Sequence, residues 1–127
     1  HCPLTPDTRH IVNDKSMSIM KEKSILINTS RGALVDTAAL VDALKNKKIG
    51  GAVLDVYEEE SKYFFNDWSE DVIDDDLLIR LMTFPNVIVT SHQAFLTDEA
   101  LAAIAMTTME NIYQYAKEDT LENIVMF

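Results

Sequence analysis

Three short runs of aliphatic and β-branched residues punctuate the chain: Ser24–Asn28, Gly51–Val56 and Val87–Thr90. None alternates apolar with polar positions. Each therefore reads as a strand buried on both faces, as in a parallel sheet covered by helices. Between the runs, apolar positions recur at helical spacing. Asn13 or Asp14 is placed to cap a short helix through Met20. Asp36 caps a second over Thr37–Lys45, with Leu40, Val41 and Leu44 on one face. A third covers Asp74–Met82, with Leu77, Leu78 and Leu81 at helical spacing. Helix and strand alternate three times, which predicts the α/β class with parallel strands. The pattern then changes. Thr97 caps a long amphipathic helix to about Glu118, carrying Leu101, Ile104, Ala105, Thr108, Ile112 and Tyr115 at i, i+3, i+4 spacing. Asp98 and Glu99 sit in its first turn, where acids suit the helix dipole. No clear strand follows, so this helix is free to pack on something other than the sheet.

Composition narrows the function classes. At 127 residues, 47% hydrophobic and 25% charged, the chain can bury a core of ordinary size. It has only three glycines, Gly32, Gly50 and Gly51. These cannot supply a G-x-G-x-x-G dinucleotide turn or a phosphate-cradling loop. A formal charge of −10 repels phosphate backbones, so nucleic acid is not an expected partner. No apolar run approaches the roughly 18 residues of a membrane span, and no signal peptide is visible. The single cysteine, Cys2, fits a reducing cytoplasm. His1, His10 and His92 form no metal-spaced pair, and the acidic stretch from Asp67 to Asp76 lacks the alternation and glycine of a calcium loop, so no metal is expected. That stretch reads as a solvated loop and helix start. The chain opens on His1-Cys2-Pro3 without Met, and is expected to be a piece of something longer.

In open parallel sheets, ligands bind beyond the carboxyl ends of the strands. Past the first strand comes Thr29-Ser30-Arg31-Gly32, past the second Val56-Tyr57-Glu58-Glu59-Glu60, and past the third Ser91-His92-Gln93-Ala94-Phe95. One edge then carries an arginine, a carboxylate cluster and a histidine. Arginine grips a carboxylate or phosphate through two parallel hydrogen bonds. Histidine exchanges protons near neutrality, and a carboxylate beside it stabilises imidazolium. Together they suit an anionic substrate with a hydroxyl or carbonyl. Taken singly, each has a plainer reading: Arg31 in a surface ion pair, His92 as a satisfied polar residue, Glu58–Glu60 as a solvated face.

The segments H-C-P-L-T-P, I-N-T-S-R-G-A-L-V-D-T, G-G-A-V-L-D-V-Y-E-E-E and V-I-V-T-S-H-Q-A-F-L-T resemble the D-isomer-specific 2-hydroxyacid dehydrogenases, most closely the fermentative D-lactate dehydrogenases. The spacing is also the family's, 29 residues from Arg31 to Glu60 and 32 from Glu60 to His92. The aromatic-acidic insertion Tyr63–Asp76, with Phe64, Phe65 and Trp68, is similar to the lactate dehydrogenase branch. The resemblance implies the second half of a Rossmann-type, doubly wound NAD-binding domain over residues 1–96. Residues 97–127 then form a helix crossing back to a substrate domain that is mostly missing. It implies NAD as cofactor, pyruvate and D-lactate as the substrate pair, and a homodimer for the intact protein. His92 is implied as acid/base, with Glu60 pairing to keep it protonated and Arg31 clamping the substrate carboxylate. Cys2, Pro3, Thr8, Thr29, Ser30 and Arg31 match cofactor-lining positions, and Asp55 one that faces the nicotinamide end. Cys2 stands where valine is commoner. Phe95 and Tyr57 are candidate pocket walls or core residues. The chain alone is expected to be inactive. A regulatory protein of this architecture that only binds NADH, or a dehydrogenase for another 2-oxo acid, remains as an alternative.

Overall fold

The computed structural model describes residues 2–117 and 123–125. His1 and the expected helix end at Glu118 lie outside them. The chain divides into two compact units, His1–Gln93 and Ala94–Phe127.

The first unit follows the expected alternation: α1 (Asp14–Ser18), β1 (Ile25–Asn28), α2 (Thr37–Lys45), β2 (Gly51–Leu54), a short α3 (Glu60–Tyr63), α4 (Asp76–Thr83) and β3 (Val87–Val89). A 3-10 turn, Gly32–Leu34, precedes α2. The helix starts are set by side chains that satisfy otherwise orphaned N–H groups. Asn13 and Ser16 form a reciprocal capping box on α1. Asp36 accepts from the Ala39 N–H at 3.0 Å, and Asp75 caps α4 by accepting from the Leu77 and Leu78 N–H groups, so that helix starts at Asp76 rather than Asp74.

The sheet order is β1-β2-β3, all parallel. Its covered face carries Leu26, Asn28, Ala52, Leu54, Val87 and Val89. The core beneath it is built from Met17, Leu40, Val41, Leu44, Ile49, Leu78 and Leu81, with Met17, Leu40, Ile49 and Leu81 at most 2% exposed. The apolar faces of α2 and α4 thus bury as their spacing predicts.

The other face corrects the expectation of strands buried on both sides. Ile25, Ile27 and Ile88 are 62%, 65% and 59% exposed. The register places Ile27 beside Val53 and Val53 beside Ile88, so they form one continuous apolar strip. An uninterrupted apolar run prescribes two buried faces, but the described helices of this unit put their buried residues into the core on one. Within the second unit, Thr97 caps α5 (Asp98–Ala116) by accepting from the Ala100 N–H at 3.2 Å. None of its residues is buried, and Ile104 and Ile112 are 52% and 57% exposed. No described helix is long and apolar enough to cross a membrane.

The exposed strip has a measurable consequence for the 127-residue polypeptide by itself. It should bind a hydrophobic dye, and the double substitution Ile25→Thr/Ile27→Thr should reduce the dye signal without loss of helical circular dichroism. Undiminished dye binding would place the exposed apolar surface elsewhere.

Candidate active site

The three parallel strands end at one edge, where side-chain hydrogen bonds join a few continuing backbone ones to hold the connecting loops. At the end of β1, Asn28 is buried and folds the chain back on itself. Its Oδ1 accepts from the Ser30 N–H at 3.1 Å and its Nδ2 donates to the Arg31 carbonyl at 2.9 Å. Arg31 is thereby held at the surface. Its Nη1 donates to the Ser30 carbonyl at 2.8 Å, and no carboxylate pairs with it among the described residues. Ser30 Oγ donates to the Cys2 carbonyl at 2.9 Å, which ties the N-terminal loop to this turn. Cys2, Pro3, Leu4, Ser30 and Arg31 line a cleft of about 340 Å³. Four of the seven residues expected at the cofactor therefore meet. Thr8 is spent on the loop itself, donating to the Pro3 carbonyl at 2.8 Å and accepting from the Thr5 N–H at 2.7 Å. Thr29 is half-buried beside Ser30, outside that lining.

At the end of β2, Asp55 is buried. Its Oδ1 accepts from Thr90 Oγ1 and, at 2.7 Å, from the Gln93 N–H, while its carbonyl accepts from the His92 N–H at 2.9 Å. These bonds clamp the loop after β3 around His92, whose backbone is in the left-handed region at φ 51°. A non-glycine residue there costs conformational energy and persists only where its surroundings over-determine it.

Glu60 opens α3. Its Oε2 accepts from the Tyr57 N–H at 2.9 Å. Its Oε1 lies 3.2 Å from His92 Nε2, within ion-pair range. That pair is off the line a ring N–H bond requires, and Nε2 is buried without an aligned hydrogen-bond partner. The Phe65 ring lies 5.7 Å from the imidazole, tilted by 41°. Glu60 and His92 are thus brought together, while Arg31 sits at the end of the neighbouring strand with its guanidinium turned to its own loop.

Gly32 sets how closely those loops approach. A Cβ there would fall 2.0 Å from the Tyr57 carbonyl carbon and oxygen and 2.4 Å from the Glu58 nitrogen. Only glycine lets the turn after Arg31 rest on the peptide that leads to Glu60. Tyr57 is core rather than pocket wall, 3% exposed. Its hydroxyl donates to Asp75 Oδ2 at 2.6 Å, and burial, followed by that hydrogen bond, pushes the phenol far above its usual range. Beyond it, Tyr63 packs against Trp68 at 5.5 Å. Asp74 accepts from both Lys62 Nζ and the Tyr63 hydroxyl at 2.7 Å. The acidic stretch is therefore in part a staple for the aromatic insertion.

Residues 1–94 match the family model described as D-isomer specific 2-hydroxyacid dehydrogenase, NAD binding domain. The chain belongs to this family. It is 53% identical over 97% of its length to 2-hydroxyacid dehydrogenase A of Aspergillus oryzae, covering 35% of that protein. It is 50% identical over 97% of its length to D-lactate dehydrogenase of Escherichia coli, covering 37% of it. A crystal structure of D-lactate dehydrogenase with NAD+ from Lactobacillus jensenii superposes with a TM-score of 0.83 and 35% identity, over 100% of this chain and 38% of that one. The chain thus spans little more than a third of these relatives. The three-stranded parallel sheet with its helices is part of the family's NAD-binding domain. The carboxyl-edge cleft is walled by the Cys2–Leu4 loop and the Ser30–Arg31 turn; a glycine-rich phosphate turn is not among these residues. No described group of His, Cys, Asp and Glu side chains could hold a metal ion.

Three residues at this edge escape the motif reading. Asn28 is visible in hindsight as the Asx-turn residue of N-T-S. Phe65 comes from the insertion, and nothing in its spacing points to His92. Glu58 stands in an acid run that reads as solvated, yet its side chain is only 14% exposed.

Two outcomes follow from this geometry. Gly32→Ala must displace backbone rather than a side chain, so it should destabilise by about 1–3 kcal/mol or more, read by denaturant unfolding of the intact protein; a change within about 0.5 kcal/mol would contradict the close approach. The hydrogen bonds from Lys62 and then Tyr63 hold the Asp74 carboxyl below its ordinary value. A depressed pKa means the staple's contribution is present above the unfolded value and is lost as pH falls through the folded one. The fluorescence of Trp68, the only tryptophan of these 127 residues, should therefore change below the ordinary aspartate pKa of about 3.9. Asp74→Asn should remove that step. A step at or above the ordinary value would contradict the staple.

Proposed function

We propose that the protein containing this chain is an NAD-dependent D-lactate dehydrogenase that reduces pyruvate to D-lactate. The juxtaposition of Glu60 Oε1 and His92 Nε2 at 3.2 Å, on the sheet edge that also bears Arg31, is the observation that carries it. Reduction of a 2-oxo acid needs one hydride at the carbonyl carbon, one proton at the oxygen and a fixed carboxylate. Bound NADH supplies the hydride. His92 supplies the proton from its ring, and Glu60 stabilises the imidazolium before transfer and orients the ring. Arg31 has no carboxylate partner among the described residues. Released from the Ser30 carbonyl, its planar fork can take the substrate carboxylate bidentately.

The remaining residues prepare the site. Asp55 anchors the His92 loop from beneath, and burial strengthens its grip on Thr90 and Gln93. Cys2, Pro3 and Ser30 wall the cofactor side, with Thr8 fixing the loop that carries Pro3. Thr29 completes the strand-end turn. The Phe65 ring shields the imidazole from water on one side.

The direct test uses the intact protein, assayed for NADH oxidation with pyruvate against glyoxylate, hydroxypyruvate and 2-oxoisocaproate. Pyruvate should be preferred, and His92→Gln should lower turnover by roughly 10²–10⁴, the usual worth of general acid–base catalysis. Arg31→Lys should raise the KM for pyruvate and leave that for NADH unchanged. Near-normal turnover in His92→Gln would remove the histidine from the chemistry, and equal loss of both substrates in Arg31→Lys would make the arginine structural.

A further inference from the structure

The first residue of the acid run does something its sequence does not announce. The Glu58 carboxylate is mostly buried and gathers groups from two distant segments. Its Oε1 accepts from Arg9 Nη2 at 2.9 Å and lies 2.6 Å from His10 Nε2. Its Oε2 accepts from Thr37 Oγ1 at 3.1 Å and from the Thr37 N–H at 3.4 Å, at the start of α2. Asp36 Oδ2 stands 4.0 Å from the other ring nitrogen of His10.

His10 itself is strained, with φ at 52°. Its N–H donates to the Ala33 carbonyl at 2.9 Å and its carbonyl accepts from Asn13 Nδ2 at 2.8 Å. The chain just after it pairs with the segment before α2 through the Val12–Val35 bridge. The N-terminal loop, which carries Pro3 and Thr8, is therefore fastened at its far end to residues 33–37. Glu58 extends that fastening to the turn Tyr57–Glu60, two residues from the carboxylate that meets His92. An exposed Arg–Glu pair alone is worth little. Here the carboxylate is shielded, accepts from three residues, and holds a backbone conformation that would otherwise relax.

We propose that Glu58 is a positioning residue that couples the cofactor-side loop to the turn bearing Glu60, so that one carboxylate sets the geometry of both halves of the site. It touches neither substrate nor cofactor. This rests on the dehydrogenase reading for its kinetic signature, though not for its effect on NADH binding.

The test is made on the intact protein, well below its melting temperature. Glu58→Gln should raise the KM for NADH and lower kcat together, each by about 3–30-fold, within the ~100-fold that a displacement of about 1 Å can cost. The KM for pyruvate should move little. The double variant Arg9→Gln/His10→Gln should show the same split, and adding Glu58→Gln to it should cost little more, because the groups act as one unit. Glu58→Asp should recover part of the loss. If Glu58→Gln does not fold, Glu58→Asp and the Arg9/His10 variant still report the split. A lowered melting temperature with wild-type kinetic constants would overturn the proposal, as would losses that multiply across the set. A wild-type protein that fails to oxidise NADH with any of these 2-oxo acids would sink the dehydrogenase reading instead. The coupling would then be read by fluorescence titration with NADH, with weaker binding in Glu58→Gln expected and unchanged binding contradicting it.

Discussion

The absence of a side chain at Gly32 lets two strand-end loops occupy one place. The turn after β1 lies directly on the peptide joining Tyr57 to Glu58, at a separation no Cβ would tolerate. On one side of that contact stands Arg31; on the other, three residues along, stands Glu60. The spacing between the candidate carboxylate clamp and the candidate proton relay is thus fixed by backbone against backbone, which has no rotamers to lose. Side chains then fasten the loops around it. Asn28 folds the Arg31 turn, Glu60 caps its own turn at the Tyr57 N–H, and Asp55 draws the His92 loop down onto β2.

This arrangement carries conformational cost at the site, as it does at Lys47 in the connection from α2 to β2. His10 and His92 both hold left-handed backbone, and both are held there by hydrogen bonds to neighbouring loops. Buried carboxylates at Asp55 and Glu58 are retained because each has several donors; without them, burial would be unfavourable. The apolar core under α2 and α4 supplies the rigid platform, and the edge above it uses polar bonds to choose one loop geometry. Preorganisation of this kind is what acid–base and anion-binding chemistry requires.

Much of this was legible in the residues. The bounds of α2 follow from an aspartate cap and a clean 3.6-residue period, and the three strands from β-branched runs. The pairing of Glu60 with His92 was legible only through family spacing, since nothing local in either segment points to the other. The one-sided sheet was not legible, because an apolar run is the same whether its second face is covered within the chain or left open. Ile27 and Ile88 have the composition of buried residues and the exposure of surface ones. Glu58 was hidden for the opposite reason. It stands in a run of three acids, which reads as solvated and in which Glu59 is exposed, while the groups that bury it lie 21 to 49 residues away. The bland reading of Arg31 as half of a surface ion pair finds no carboxylate among the described residues. The expected helix Asp74–Met82 starts instead at Asp76, capped by Asp75, because Asp74 is engaged by Lys62 and Tyr63.

The central claim is that Glu60 and His92 act as one chemical unit on the edge that Gly32 keeps compact. A double-mutant cycle on kcat/KM for pyruvate in the intact protein tests it most directly, with Glu60→Gln, His92→Gln and the pair together. If the carboxylate acts through the imidazole, removing it should cost much in the wild-type background and little once the histidine is gone. Losses that multiply, with Glu60→Gln as damaging in the His92→Gln background as alone, would contradict the account.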